Sequence, residues 1–439
     1  MMFTYVKLRN YKSLVELNVD FLQKKKMGKK AVFIYGENGV GKSNFASAFL
    51  TLFESMQTLS VRKAVLAILE AKSENTNSEE FLRSIQNNLR DTEAIIRNCK
   101  TINSNENMVL EFGFVIEGRE GSYYLEYNNE KLVREKLEYV LNRNKIVFFD
   151  ITEESPYINK NIFLEADFYK EIKSLVKQYM GKHSLLSIIV NEKEEKAQKY
   201  IQERIHENLF DVIFAFATMS VKVKMGNHGE RGKVGLSHPI LAELERGSID
   251  ISEENELNKA EELLNDFFTR TYGDIKRVYY RRDIEDGKIN YELFFNKLIY
   301  NRLVDVSFEL ESTGTQHLLE ILPYILMCVE GTVVIIDEID TGIHDLLVDN
   351  MLENVIPSIG GQLILTTHNT MLLDSDIDPQ YIYTFIEDEN AIKQLVSIID
   401  FEDRTHPHLN YRNRYLKGMY GGVPLLGEID FEELREILD

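Results

Sequence analysis

The octet Gly36-Glu37-Asn38-Gly39-Val40-Gly41-Lys42-Ser43 combines three glycines, a lysine and a hydroxyl, with Asn44 directly after it. Glycines let a backbone curl its N–H groups around an anion where a Cβ would collide. An apolar run, Ala31-Val32-Phe33-Ile34-Tyr35, precedes the octet, and a helical pattern (Phe45, Ala46, Ala48, Phe49, Leu50, Leu52, Phe53) follows it. Strand, glycine loop and helix in that order make a phosphate cradle, and the helix start adds a favourable dipole end. In that frame the Lys42 ammonium reaches the β/γ-phosphates and the Ser43 hydroxyl ligates Mg²⁺. The chemistry so described is that of a bound nucleoside triphosphate.

Four later stretches supply what hydrolysis of such a ligand needs. Val333-Val334-Ile335-Ile336-Asp337-Glu338 reads as a buried strand ending in two carboxylates. Asp337 is placed to hold Mg²⁺, and Glu338, one residue on, to polarise an attacking water. Upstream, Ser312-Thr313-Gly314-Thr315-Gln316 runs into a helix and forms a second anion cradle. One nucleotide does not need two cradles from one chain, so this one is expected to cap the γ-phosphate held by another copy. Asp340-Thr341-Gly342-Ile343-His344 is a turn at the same sheet edge, and the next strand ends in Thr366-Thr367-His368-Asn369. Open α/β sheets bind ligands at the C-terminal ends of their strands, which is where His368 falls.

The elements that position these residues fall in three blocks. Residues 1–154 read as strands around the glycine loop, a helix to about Leu69, a polar break at Ser73–Ser78, a second helix to about Asn98, and strands over 108–127 and 145–149. Residues 155–275 read as a mainly helical insertion containing a glycine- and charge-rich loop, Gly226 to Gly235. Residues 276–439 return to strands and helices. There, wholly apolar strands at Val333–Ile336 and Leu363–Leu365 are separated by helices, as in a sheet covered on both faces.

Composition narrows the class further. The chain has 439 residues, 44% of them apolar, and a formal net charge of −20. That balance disfavours non-specific coating of DNA by the whole surface and leaves only a local basic groove for nucleic acid. Basic residues interleaved with aromatics occur at Lys276–Arg282 and around Arg404, Arg412, Arg414 and Lys417. Two distant cysteines, Cys99 and Cys328, imply no disulfide framework or metal spacing. No apolar run approaches the roughly 20 residues that span a bilayer. The opening residues lack a basic-then-apolar signal layout. The expectation is a cytoplasmic protein without membrane contact.

The motifs together resemble an ABC-type ATPase of the SMC, RecF and OLD-like branch, in the bacterial AAA-family group of phage-defence (abortive infection) systems. Gly36–Ser43 resembles Walker A, Ile335–Glu338 Walker B, Ser312–Gln316 the ABC signature, Asp340–His344 the D-loop, and His368 the switch histidine. Thr313 stands where that signature has serine and Thr315 where a second glycine is common. No Q-loop glutamine is identified near 108–127. The resemblance implies an α/β fold, an ABC-ATPase head (a P-loop NTPase with a mixed sheet flanked by helices) carrying the helical insertion. It implies ATP and Mg²⁺ as ligands, Lys42, Glu338 and His368 as catalytic residues, and a homodimer or higher homo-oligomer of heads sandwiching ATP. It also implies a separate nuclease or toxin effector, since no toprim-type acidic cluster follows the ATPase. The alternative is a RecF/SMC-like DNA repair or maintenance ATPase that clamps DNA.

Overall fold

The computed structural model describes residues 1–23, 27–71, 90–196, 198–225, 229–235, 240–241, 243–402, 409–423 and 429–437. The expected break at Ser73–Ser78, Lys24–Lys26, Arg404 and part of the Gly226–Gly235 loop lie outside these residues.

The strand before the glycine loop, Ala31–Tyr35, is buried along its whole length, and its alternation decides the architecture. Val32 and Ile34 enter one hydrophobic core, while Ala31, Phe33 and Tyr35 enter another. Val333/Ile335 and Val334/Ile336 divide in the same way. The sheet holding these strands is therefore the middle layer, with apolar material on both faces.

Its order is Glu230–Lys233, Ser220–Lys224, Val333–Ile336, Gln362–Thr366, Ala31–Tyr35, Ile382–Glu387, Lys393–Ser397. The inner five run parallel and the two edge strands antiparallel. On the first face lies a second seven-stranded sheet, wholly antiparallel, that includes Met2–Tyr11, Leu14–Asp20 and Met108–Ile116. The helix Lys42–Ser55 is held between the two sheets, with Phe49 packed on Phe3 and Phe112 at centroid distances of 5.0 and 5.6 Å. On the opposite face pack the helices Glu254–Thr271, Thr313–Glu330 and Asp345–Val355 with a four-stranded sheet, Arg246–Asp250, Ile275–Glu285, Lys288–Ile299 and Arg302–Ser307. The result is an α/β head with a mixed central sheet. Cys99 and Cys328 are both buried and unpaired with each other.

Three features differ from expectation. The helix after the loop stops at Ser55 and a separate one spans Thr58–Ala71. Met56 and Gln57 donate to Phe53 and Glu54 carbonyls three residues back (3.0 Å each), which tightens the chain out of the α-helix. The strand Leu132–Leu141 was not anticipated, because the charged run Arg134-Glu135-Lys136 hides its alternation, with Glu135 on the buried face. The 155–275 stretch carries helices, as at Ala166–Gln178, Leu185–Lys196 and Glu207–Ala217, but it also supplies Ser220–Lys224 to the central sheet. Val221 and Val223 face the core, while Lys222 and Lys224 occupy the other face, a pattern unlike the apolar strands beside it.

Candidate functional site

The loop Gly36–Ser43 follows the buried strand and leads into the helix Lys42–Ser55. Gly39 and Gly41 take φ of +81° and +119°, values that a side chain strongly disfavours. Gly41 occupies the N-cap position, no side chain caps this helix, and no acid stands in its first turn. Its leading N–H groups are therefore left for an anion. The Lys42 side chain is buried and folds back onto its own loop, donating to the carbonyls of Gly36 (2.7 Å) and Glu37 (3.0 Å). Burial lowers its pKa, while the charges of Glu338 and Asp337 oppose that shift. Asn44 turns outward and donates to Ser13 Oγ at 2.7 Å.

The carboxylates stand beside this loop because the parallel sheet places its strand ends together. Asp337 is buried and accepts from Thr366 Oγ1 (2.6 Å) and the Lys224 N–H (3.2 Å). Burial raises its pKa, and the hydroxyls of Thr366 and Ser43 are the leading groups that counter it. Ser43 and Asp337 thus meet, although 294 positions separate them in the sequence (337 − 43). A hydroxyl and a carboxylate are hard oxygen donors of the kind Mg²⁺ takes when phosphates and water complete its shell. Among the described residues there is no group of three or more His, Cys, Asp or Glu that could hold a metal ion.

Glu338 has φ +51°, a left-handed conformation uncommon for a residue with a side chain. Its N–H donates to Thr366 Oγ1 (2.7 Å), its carbonyl accepts from Thr341 N–H (3.2 Å), and its carboxylate is ion-paired with Lys224. Burial pushes the Glu338 pKa up, but Lys224, His368 and Lys42 outweigh it and hold the group below the usual carboxylate range. His368 sits at the end of Gln362–Thr366, its N–H fixed by Asp340 Oδ2 at 2.8 Å. Desolvation and then the Lys42 charge lower its pKa, so the neutral imidazole is favoured.

Ser43, Asn44, Lys224 and Glu338 share the wall of a cavity of about 780 Å³ with Lys12, Arg90 and Arg231. The Ser312–Gln316 segment contributes nothing to that wall. It starts the helix Thr313–Glu330, and Ser312 caps it by accepting from Thr315 N–H (3.2 Å). Gly314 lies against the D-loop turn, where a Cβ would fall 2.4 Å from Gly342 O. Gln316 Nε2 donates to Glu309 O (3.2 Å).

Sequence reasoning missed Lys224 as a site residue, and it named Asp340 and Thr366 only within longer stretches, without a role of their own. The signal for Lys224 was present, since Val221-Lys222-Val223-Lys224 alternates just before a glycine-bearing turn. Three cations of the two basic-aromatic stretches pair with acids: Arg412 with Asp374, Arg414 with Glu402, and Arg282 with Glu261.

A glycine loop leading into an uncapped helix, with strand-end carboxylates beside it on a mixed, largely parallel sheet, is the arrangement of a phosphate-binding P-loop α/β fold. Residues 236–374 match the family described as AAA domain, putative AbiEii toxin, Type IV TA system. That segment includes Ser312–Gln316, Asp337, Glu338 and His368 but not the glycine loop. No curated protein matches the chain. Among solved structures it is similar to an SMC head bound to the C-terminal winged-helix domain of ScpA, at 14% identity over 91% of this chain and 98% of that one, TM-score 0.41. It is also similar to the SMC head domain from Thermotoga maritima, at 13% identity over 91% and 99%, TM-score 0.37. A third is the Smc head with an extended coiled coil bound to the C-terminal domain of ScpA from Pyrococcus furiosus, at 16% identity over 90% and 96%, TM-score 0.37. Among the described residues no helix is long and apolar enough to cross a membrane.

Proposed function

We propose that this chain binds and hydrolyses ATP as the sensor or regulator subunit of a prokaryotic anti-phage defence or toxin system. It acts in the cytoplasm, dimerises around ATP, and controls a separate nuclease or toxin. The observation that carries the hydrolase reading is the meeting of Ser43 and Asp337 beside an uncapped phosphate-loop helix. The defence role draws its support from the description of the family matched by residues 236–374.

In this reading the N–H groups of Gly36–Asn44 and the Lys42 ammonium bind the β- and γ-phosphates. Ser43 and Asp337 hold Mg²⁺, which when bound neutralises charge between those phosphates. Glu338 accepts a proton from the attacking water, and His368, with its backbone fixed by Asp340, orients that water or the γ-phosphate. The Ser312–Gln316 segment of a second copy closes the other side. Losing the γ-phosphate contacts on hydrolysis then opens the pair. The test is light scattering of Glu338→Gln with and without ATP and Mg²⁺. Nucleotide-dependent doubling of mass is expected, and a monomer under both conditions removes the sandwich.

A second reading, ATP-dependent DNA clamping, is favoured by one exposed strip. Arg277 lies over the Tyr279 ring and Arg281 over Phe294 (5.2 and 3.7 Å to the centroids). Asp305 stands on the same face and shares hydrogen bonds or charge with Tyr279, Arg281 and Arg277. Filter binding at two salt concentrations, with and without ATP, separates the readings, because phosphate contacts give a steep salt slope.

A further inference from the structure

Lys224 ends the strand Ser220–Lys224, which runs parallel to Val333–Ile336 with Lys222 opposite Ile336. Continuing that register places Lys224 beside Asp337 and Glu338. Its N–H donates to one Asp337 oxygen, and the same carboxylate is reached by the Ser43 hydroxyl. The root of the lysine is therefore one carboxylate away from Ser43 in the first turn of the phosphate-loop helix. Its ammonium pairs with Glu338 and donates to Thr341 Oγ1 at 2.9 Å.

The other cations on this cavity wall are engaged by the loop helix. Lys12 donates to Ser47 Oγ (2.7 Å), and Arg90 and Arg231 pair with Glu54 at 3.3 and 2.7 Å. Lys224 differs because its partner is the carboxylate that the proposed reaction needs free. Glu338 is held by backbone bonds in a left-handed conformation, which fixes the point from which its carboxylate reaches. The lysine, on a four-carbon stem with only its terminal contacts fixed, is the partner that can move.

We propose that Lys224 is a positioning residue that reads the terminal phosphate: an entering nucleoside triphosphate draws its ammonium from Glu338 onto a γ-phosphate oxygen, and this exchange releases Glu338 toward water. The inference rests on the phosphate-loop reading of the site. A diphosphate, which lacks the attracting group, leaves the Lys224–Glu338 pair intact. Base and substrate are thereby linked, because the carboxylate is released only when there is a terminal phosphate to attack.

Equilibrium binding of a fluorescent non-hydrolysable ATP analogue and of the matching ADP analogue tests this. Lys224→Ala should weaken the triphosphate about tenfold, the worth of one charge-assisted hydrogen bond. Diphosphate affinity should stay unchanged, and Lys224→Arg should restore most of the loss. If Lys224→Ala weakens both analogues equally, or neither, the lysine only ties its strand to the Glu338–Thr341 turn and the inference is overturned. Binding of both analogues that is indifferent to Lys42→Ala would instead overturn the phosphate-loop reading itself.

Discussion

The helix beginning at Lys42 follows a glycine loop, whereas the helix beginning at Thr313 follows a short 3₁₀ turn and carries Gly314 inside its own first turn. They satisfy their first N–H groups in different ways. The Lys42 helix has Gly41 at its N-cap and no side chain capping it. The Thr313 helix accepts help from its own Ser312, and Gly314 is pressed against Gly342. An uncapped start costs stability until something anionic arrives, whereas a capped start is stable alone. The first is built to receive a ligand within its own chain. The second is closed by its own chain, and the proposed function gives it a phosphate presented by another copy, which it does not need in order to fold.

The largest test of this contrast acts beside the first helix. Glu338→Gln should lower turnover by about 10²–10⁴-fold, the range for loss of a general base, while ATP binding persists. Steady-state phosphate release and a parallel binding titration measure both. Lys42→Ala should cost about 100-fold in triphosphate affinity by loss of charge-assisted bonds to phosphate, read by calorimetry. Gly314→Val drives side-chain atoms into the Gly342 carbonyl. It should abolish nucleotide-dependent dimers in light scattering and leave nucleotide binding to the single chain intact. If binding falls as well, the two helix starts are not independent. Ser312→Ala should lower stability by about 1 kcal/mol in urea denaturation, as for any lost N-cap, with no change in single-chain ATP affinity.

A third helix start extends the comparison to a buried carboxylate. The N–H groups of Leu185 and Leu186 donate to Glu135, a buried carboxylate that also accepts from Tyr123 Oη (2.8 Å). Burial pushes this group up to about 7. The folded chain then binds the proton more tightly than the unfolded one, whose glutamate titrates near about 4.3. Its contribution to stability is therefore fullest below that range and falls as pH rises to about 7. Urea midpoints at pH 5 and pH 8 should show this slope, and Glu135→Gln should flatten it.

Much of the site was legible before any coordinates. The glycine loop, the apolar strand before it and the acids after Val333–Ile336 are local patterns, since backbone sterics and burial act over a few residues. At Ser220–Lys224 the alternation was legible, but its place in the central sheet was not. Lys222 pairs with Glu230 across the adjoining hairpin and with the distant Glu320, and Lys224 pairs with the distant Glu338. The partners of the basic tail were not legible either, because Glu402 and Asp374, which pair with Arg414 and Arg412, are brought there by tertiary packing.

The sequence by itself determined where a phosphate cradle forms and which strand ends carry acids, because glycine permissiveness and apolar periodicity are written residue by residue. Only the tertiary structure decided that Ser43, Lys224, Asp337 and Glu338 converge on one edge. Parallel strands drawn from distant parts of the chain align their C-terminal ends, and a register between strands is a property of their pairing that no single segment carries.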